Sequence, residues 1–315
     1  ERHSIPTAKY QTFDDLERST AYVREHGAPI VIKADGLAAG KGVTVAMDEE
    51  TAIAALEDIF VDHRFGNAGA KVVIEDFLEG QEFSLMSFVN GTDFWPMPIS
   101  QDHKRAHDGD EGPNTGGMGA YSPVPQIGQD VVDTAIETIV KPTVQAMSDE
   151  GTPFTGILYA GLIATADGPK VIEFNARFGD PETQVVLPRM KNDIVEVFEA
   201  CIDGTLDQIQ LEFEDNAAVC VVLASDGYPV SYEKGFPITG LEKFDGKDDY
   251  FCFHAGTKFD ENGTIVTNGG RVLGITATGK DLKEARAKAY EATEWVDFAN
   301  KYMRHDIGRA IDEVK

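Results

Sequence analysis

Apolar runs separated by Gly, Pro, Asn and Asp divide this chain into strands and helices along its whole length. Short apolar runs between turn residues predict strands, and longer runs with helical spacing behind an Asp predict helices. We predict strands at residues 7–13, 30–34, 43–47, 71–75, 82–89, 93–99, 154–164, 170–175, 217–224, 251–254, 264–267 and 272–278, and helices at 14–26, 48–60, 130–150, 194–201 and 281–298. Residues 101–123 are predicted to be a polar, glycine-rich loop. The fold class is therefore α/β (α+β).

The pattern changes after about residue 212, where short strands and Gly/Asp turns become frequent. We predict two domains, residues 1–212 and 213–315. A small subdomain at about 12–79 is predicted inside the first, and the second is a smaller α/β unit.

Composition narrows the possible partners. The 315 residues include 28 basic and 54 acidic side chains, a net charge of −26. Such a field argues against binding nucleic acid or an anionic membrane over a broad surface. The three cysteines lack CxxC spacing, which favours free thiols in a reducing compartment, and we predict a cytoplasmic location. No apolar run approaches the ~20 residues of a membrane-spanning helix.

The stretch at residues 171–182 places polar side chains at the end of a predicted strand. Glu173, Asn175 and Arg177 alternate, so they should project from one face, roughly 6.5–7 Å apart along the strand. Carboxylate and amide oxygens suit Mg²⁺, and a guanidinium can grip a phosphoryl oxygen. The alternative is a half-buried strand whose polar face meets water.

A glycine-rich stretch at residues 33–43 is the second candidate site. Gly36, Gly40 and Gly42 would let the backbone approach a phosphate, and Lys33 and Lys41 add positive charge. The spacing and the residue after Lys41 exclude a Walker A loop, and the spacing of a dinucleotide-binding turn is absent. The alternative is a flexible hairpin turn.

A third segment follows the predicted strand at 71–75. Phe77 and Leu78 could sandwich an adenine ring beside backbone groups after Glu75, and Glu82 could bind ribose hydroxyls. The alternative is a strand that runs into an exposed acidic turn. In the loop that follows, we predict that His103 is solvated.

The order of these segments resembles the ATP-grasp superfamily of carboxylate–amine ligases and, within it, the phosphoribosylamine–glycine ligase family. The resemblance covers essentially the whole chain, and its most specific segments are residues 32–43, 100–105, 112–123, 173–182, 254–257 and 267–273. It implies an ATP-grasp fold with a small flap subdomain, a central mixed or antiparallel sheet and a smaller C-terminal α/β domain. The family's N-terminal α/β domain has no counterpart in these residues, so we expect a fragment of a longer protein.

The resemblance implies that ATP and Mg²⁺ or Mn²⁺ serve to join glycine to 5-phosphoribosylamine through a glycyl phosphate. It assigns Glu173 and Asn175 to the metal, and Arg177 and Lys41 to catalysis. ATP would be bound by Lys33, Gly36, Gly40, Lys41, Gly42, Val43, Glu75, Phe77, Leu78 and Glu82. The substrates would be bound by Asp102, Lys104, Thr115, Gly116, Gly117, Arg177 and Asp180. The strand before Glu173 lacks the additional acid of many ATP-grasp enzymes, so the metal would depend on two protein ligands, ATP and water.

Two other interpretations stay open. One is an ATP-grasp ligase of another substrate, such as a carboxylase of biotin or an aminoimidazole. The other is a nucleotide-binding fragment that does not turn over. In every case the expected partners are small molecules, with no nucleic acid and no membrane, and the oligomeric state is not predicted.

Overall fold

The computed structural model describes residues 1–36, 38 and 41–313. The strands are β1 (Tyr10–Phe13), β2 (Ile30–Ala34), β3 (Val43–Ala46), β4 (Val72–Asp76), β5 (Gln81–Asn90), β6 (Asp93–Pro96), β7 (Gln101–Asp102), β8 (Arg105–His107), β9 (Glu111–Asn114), β10 (Gly119–Ser122), β11 (Thr155–Thr165), β12 (Gly168–Asn175), β13 (Ala217–Ser225), β14 (Tyr250–His254), β15 (Thr257–Phe259), β16 (Ile265–Thr267), β17 (Arg271–Gly279) and β18 (Lys301–Tyr302). The helices are α1 (Leu16–His26), α2 (Glu49–Phe60), α3 (Gln129–Ala135), α4 (Lys141–Asp149), α5 (Thr183–Val186), α6 (Ile194–Asp203) and α7 (Leu282–Thr293).

A small four-stranded sheet in the order β1-β4-β2-β3 carries α1 and α2. The helix α2 begins after Asp48, as predicted, and α1 begins after Asp15, two residues later than predicted. In both, the Asp side chain accepts a hydrogen bond from a backbone N–H of the first turn. Ile32, Leu56 and Ile74 are fully buried between the sheet and the helices. We call residues 10–76 the flap sheet. The predicted glycine Gly40 lies outside the described residues.

The central sheet has the order β12-β11-β5-β6, and all its pairings are antiparallel. Its two hairpins close at Asn90↔Asp93 and at Thr165↔Gly168, where Gly residues mark the predicted turns. This sheet carries the predicted metal ligands on β12.

The prediction of a loop over residues 101–123 is wrong, because four short strands lie there. The strand β10 is fully buried and pairs with β7 on one side and β13 on the other, with Ala120 opposite both Asp102 and Cys220. Its partner β13 lies about a hundred residues away in sequence, so local composition could not indicate the pairing.

A sheet in the order β14-β17-β13-β10-β7, with β18 paired to β13, therefore joins strands from both sides of residue 212. The division into 1–212 and 213–315 stays a prediction. The shared sheet means that the C-terminal strands support the segment that carries Asp102 and Lys104.

The helix predicted at 130–150 is helical throughout but is not a uniform α-helix. A π-helical segment, Ile136–Val140, separates α3 from α4. Pro142 follows it and has no N–H, so it cannot supply the regular bond of an α-helix at that point. Among the residues described, none of the helices has the length and apolar character required to cross a bilayer.

Candidate nucleotide and substrate site

Three polar side chains follow one another at the end of β12. Asn175 Nδ2 donates to Glu173 Oε1 over 3.5 Å, and Arg177 Nη2 donates to Asn175 Oδ1 over 3.4 Å. Glu173 and Asn175 share one face of the sheet because side chains alternate along a strand. These hard oxygen donors suit Mg²⁺ or Mn²⁺. A cluster of three or more His, Cys, Asp or Glu side chains able to hold a metal does not occur in the described part of the chain, so this pair would need ligands from outside the protein.

Lys33 connects the flap sheet to the central sheet. Its Nζ lies 2.8 Å from Glu75 Oε2 and donates to the carbonyl oxygen of Ile172 over 3.4 Å. The side chains of Lys33 and Glu75 are 19% and 21% exposed. Because Ile172 directly precedes Glu173, the lysine of the flap sheet and the acid of β12 border the same cleft.

The other residues predicted to bind a nucleotide lie on the flap sheet or just beyond it. A Cβ on Gly36 would lie 2.6 Å from the Cα of Ala68, and a Cβ on Gly42 would lie 2.8 Å from the Cβ of Ala38. Close packing therefore requires glycine at both positions. Lys41 is exposed and Val43 opens β3, while Phe77 and Leu78 are half-buried immediately after β4.

The face of the central sheet next to β12 lines a narrow cleft. Gly161 of β11 lies between Ser84 of β5 and Glu173 of β12. A Cβ at Gly161 would lie 3.2 Å from the Cγ of Glu173, so the glycine leaves room for that carboxylate. The polar side chains that line the cleft are Glu82, Ser84, Asp102, Lys104, Tyr159 and Glu173.

A chain of buried hydrogen bonds lies beneath this cleft. Tyr159 donates from its hydroxyl to Glu182 Oε1 over 2.7 Å and accepts from Ser84 Oγ, also over 2.7 Å. Glu182 is 4% exposed. Burial raises the pKa of Tyr159, and the charge of Glu182 raises it further. None of these three residues was predicted from the sequence. Tyr159 lies opposite Asn175, but a bulge between Gly161 and Leu162 shifts the register by one residue, so counting back from the turn would have paired Tyr159 with Phe174.

Asp102 and Lys104 lie at the mouth of the cleft, at the end of β7 and just after it. Burial, together with the charges of Glu182 and Glu82, raises the pKa of Asp102 to about 7 against the opposing effect of Lys104. Lys104 Nζ donates to Glu82 Oε2 over 3.2 Å. Burial would lower the pKa of Lys104, but the charges of Asp102 and Glu82 outweigh it and raise that pKa.

The segment before β10 is held by the C-terminal strands. Arg271 Nη1 donates to the carbonyl oxygens of Gly116 and Asp180 over 3.0 and 2.9 Å, and Nη2 lies 3.3 Å from Asp180 Oδ2. The backbone N–H of Gly116 donates to the Tyr228 hydroxyl. Gly117 has φ +121°, and a Cβ there would lie 2.5 Å from Pro181 Cδ. Residues 115–117 and Asp180 are therefore brought together, as a substrate site requires.

Hydrogen bonds of Thr115 and His103 connect the end of β7 to residues 115–117 and to the C-terminal segment. The Thr115 N–H and hydroxyl both donate to the carbonyl oxygen of Lys104. His103 is partly buried and its Nε2 accepts the N–H of Gly308, so the prediction of a solvated side chain is wrong. Burial and the charge of Arg304 lower the pKa of His103 to about 4.

Comparison with known proteins agrees with this geometry. Residues 1–183 match the family model described as phosphoribosylglycinamide synthetase, ATP-grasp (A) domain, and residues 218–310 match its C domain. A phosphoribosylamine–glycine ligase of Halalkalibacterium halodurans is 56% identical over 312 residues, which are 99% of this chain and 72% of the relative. One from Listeria monocytogenes is 54% identical over 98% of this chain and 73% of its own length.

Solved structures give the same result. The crystal structure of a phosphoribosylamine–glycine ligase from Thermotoga maritima has a TM-score of 0.89 and 38% identity, covering 98% of this chain and 76% of that one. A biotin carboxylase domain from Hydrogenobacter thermophilus has a TM-score of 0.68 at 14% identity, covering 96% of this chain and 65% of its own; this likeness concerns the fold alone.

The antiparallel central sheet, the flap sheet over it and the cleft between them define an ATP-grasp protein. Within that class, the matches over both halves and the identity above 50% are decisive. The chain belongs to the phosphoribosylglycinamide synthetase family, whose members are named phosphoribosylamine–glycine ligases.

Proposed function

We propose that this chain carries out the ATP-dependent joining of glycine to 5-phosphoribosylamine, giving glycinamide ribonucleotide, ADP and phosphate, a step of purine biosynthesis. Family membership supports the overall reaction. The structural observation that carries the proposal is the contact of Lys33 with the backbone immediately before Glu173, because it places a lysine of the flap sheet beside the end of β12.

The chemistry explains why such a cleft is needed. A carboxylate is a poor electrophile because its leaving group would be oxide. Transfer of the ATP γ-phosphoryl group to glycine gives glycyl phosphate, and the leaving group is then phosphate. The amine of 5-phosphoribosylamine attacks the acyl carbon. Enzymes achieve this mainly by positioning the reactants and neutralising the charge on the phosphates.

The charged residues of the cleft would each contribute to positioning the reactants or to neutralising the phosphate charge. Glu173 and Asn175 would hold Mg²⁺ or Mn²⁺, since both present oxygen donors on one face of β12. The ion would neutralise phosphate charge when bound. Lys33 and Lys41 would hold phosphate oxygens, and Arg177 would steady the transferring group.

The base and ribose of ATP would lie beside the end of β4. Phe77 and Leu78 present partly exposed apolar side chains there, and Glu75 is already paired with Lys33. Glu82 would bind ribose hydroxyls, which requires it to exchange its present contact with Lys104. Gly36 and Gly42 would lie beside the phosphates, in addition to their close packing against Ala68 and Ala38.

The proposed substrate site lies across the cleft. Asp102, Lys104 and Arg177 surround it, and the backbone of residues 115–117 closes one side. The carboxylate of Asp180 is held by Arg271 and by Gln184 Nε2, so it has a fixed orientation for a cationic group. The three cysteines are free thiols, which supports the proposed cytoplasmic location.

The test is calorimetric titration of the chain with ATP in the presence of Mg²⁺. We expect binding in the wild type and a loss of at least about 10-fold in affinity in both Lys33→Ala and Glu173→Ala. The first removes a positive charge that would face the triphosphate, and the second removes a ligand of the metal ion that would be bound to it. Arg64→Ala, an exposed flap-sheet substitution outside the cleft, is the matched control and should leave the affinity unchanged.

Thermal denaturation of the same variants separates binding from folding. Unchanged ATP affinity in both cleft variants would refute the site. Assays of phosphate release with glycine and 5-phosphoribosylamine, and with bicarbonate and a biotin or aminoimidazole acceptor in place of both, then test the reaction. Turnover with the second set alone would identify another ATP-grasp ligase, and ATP binding without turnover would identify a nucleotide-binding module.

A further inference from the structure

The amine that attacks glycyl phosphate must lose a proton as the amide forms, and none of the roles given above accounts for that proton. We propose that the carboxylate of Asp102 is the catalytic base that removes it. This inference rests on the proposed function, which supplies the acyl phosphate and the amine.

The position of Asp102 is set by the fold rather than by its own loop. Its backbone pairs with Ala120 of β10, a fully buried residue in the middle of the sheet. Its side chain lines the cleft together with Glu173. Glu173 would hold the metal ion beside the phosphates, and the acyl phosphate would form at that end of the cleft. Within the described residues, the Asp102 carboxyl accepts a hydrogen bond from its own backbone N–H, and no other side chain donates to it or forms an ion pair with it, so an oxygen is available to a substrate.

The titratable groups around Asp102 come from several elements of the fold. Glu82 approaches from β5, Tyr159 from β11 with Glu182 behind it, Glu173 lines the cleft from β12, and Lys104 follows Asp102 in its own segment. On β10, which pairs with β7, the titratable side chain is Tyr121, whose hydroxyl accepts from Gln126 and donates to Gln101.

In these surroundings, the protonated form of Asp102 is favoured more than that of an ordinary aspartic acid. Glu182 is buried and accepts a hydrogen bond from Tyr159, but it lies within no ion pair among the described residues, so no cation neutralises its effect on Asp102. Together with burial and Glu82, it raises the pKa of Asp102 to about 7. A base with this pKa is half ionised at neutral pH and strong enough to accept a proton from a developing ammonium.

The other candidates in the cleft fit the role less well. Glu82 is held by Lys104 over 3.2 Å, and Lys104 stays protonated because its pKa is raised. Glu182 is covered by Tyr159. His103 follows Asp102 directly in the chain, so it points to the opposite side, and its Nε2 already accepts the Gly308 N–H.

The lone pair of the amine nitrogen forms the C–N bond to the acyl carbon, and the C–O bond to phosphate breaks with its electron pair leaving on the phosphate oxygen. The proton on nitrogen passes to an Asp102 oxygen. Asp102 later releases that proton to solvent.

The experiment separates this step from the earlier phosphoryl transfer. Glycine-dependent positional isotope exchange in ATP labelled with ¹⁸O at the β,γ-bridge reports reversible formation of glycyl phosphate without any amine. Amide formation is measured with 5-phosphoribosylamine, and as glycine hydroxamate with hydroxylamine as a simpler acceptor. In Asp102→Asn we expect amide formation to fall about 100-fold while isotope exchange stays at the wild-type rate. Asp167→Asn, at the distant turn of the β11–β12 hairpin, is the matched control and should change neither.

The pH profile of amide formation gives a second, independent readout. With one amine at saturation, the wild-type rate should rise with pH through about 7, as Asp102 ionises. In Glu182→Gln the rise should move to lower pH, because a neutral amide replaces the buried charge that raises the Asp102 pKa. The amine is the same in both proteins, so its own ionisation does not contribute to the shift.

Other outcomes overturn the inference. Wild-type amide formation in Asp102→Asn would exclude a base role, and an equal loss of exchange and amide formation would make Asp102 a binding residue. If the wild type catalysed isotope exchange but transferred glycine to neither amine, no amine would lose a proton and Asp102 could not be a base. Absence of exchange in the wild type would instead refute the proposed function itself.

Discussion

At the scale of single residues, the cleft is defined by charges that the fold places close together at a cost in stability. Asp102 is surrounded by other acids and is compensated in part by Lys104. A carboxyl with a raised pKa in the folded state binds its proton more tightly there than in the unfolded chain. Between the ordinary pKa of about 4 and the folded value of about 7, stability therefore decreases as pH rises.

This gives a prediction about stability. Asp102→Asn should raise the melting temperature at pH 8, where the wild-type carboxylate is ionised in both states, and change it much less near pH 4, where the carboxyl is protonated in the folded protein and about half protonated in the unfolded chain. Scanning calorimetry at the two pH values tests this. Asp167→Asn, at an exposed turn, should show no such pH dependence. A lower melting temperature for Asp102→Asn at pH 8 would mean that the ionised Asp102 carboxylate does not destabilise the folded protein.

At the scale of elements, the C-terminal segment holds the β8–β9 hairpin in place. The Arg304 side chain is 1% exposed; its guanidinium lies 3.0 Å from Asp110 Oδ1 and 2.8 Å from Asp306 Oδ2. It also donates to the carbonyl oxygen of Arg105, while Tyr302 donates to that of Ala106. Burial acts to raise the pKa of Asp306, but hydrogen bonds from Arg304 and the Gly109 N–H lower it overall.

We therefore predict that Arg304→Met destabilises the protein by about 3 kcal/mol, because it leaves the Asp306 carboxylate, whose side chain is 15% exposed, without its partner. Urea denaturation measures the change. Arg64→Met, which breaks an exposed ion pair with Asp58, is the control and should cost at most about 1 kcal/mol. Since the Asp306 pKa is lowered in the folded state, the contribution of this pair is present at neutral pH and is lost as pH falls; equal effects of the two substitutions would contradict the assignment.

At the scale of the whole molecule, a shared sheet and the ion pair of Arg271 with Asp180 are among the links between the C-terminal strands and the site. The sheet runs from β14 to β7, and Arg271 reaches Asp180 and Gly116 from β17. The molecule also carries a net charge of −26. Repulsion among these charges opposes the compact state, and salt screens it.

Added salt should therefore stabilise the protein. We expect the melting temperature to rise between about 10 mM and about 150 mM NaCl, as the screening length falls from roughly 30 Å to about 8 Å. Repeating the measurement with KCl checks that the effect depends on ionic strength rather than on a specific ion. A lower melting temperature in both salts would mean that local ion pairs outweigh the net repulsion.

The sequence by itself determined the local structure of this protein. The Asp caps of α1 and α2, the two hairpins of the central sheet and the shared face of Glu173 and Asn175 all follow from residues close together in the chain. Short-range periodicity and turn chemistry suffice for such features. The motifs between residues 32 and 182 also predicted the family correctly, because their order along the chain is itself specific.

The tertiary structure alone decided which distant residues meet. Strands β7 and β10 depend on β13, Glu182 lies behind Tyr159, and Arg271 holds Asp180. Periodicity carries no information about partners that lie 20 to 150 residues away, and burial depends on those partners. The raised pKa of Asp102 arises from such contacts, so the reactivity of the cleft could be inferred only after the strands were placed beside one another.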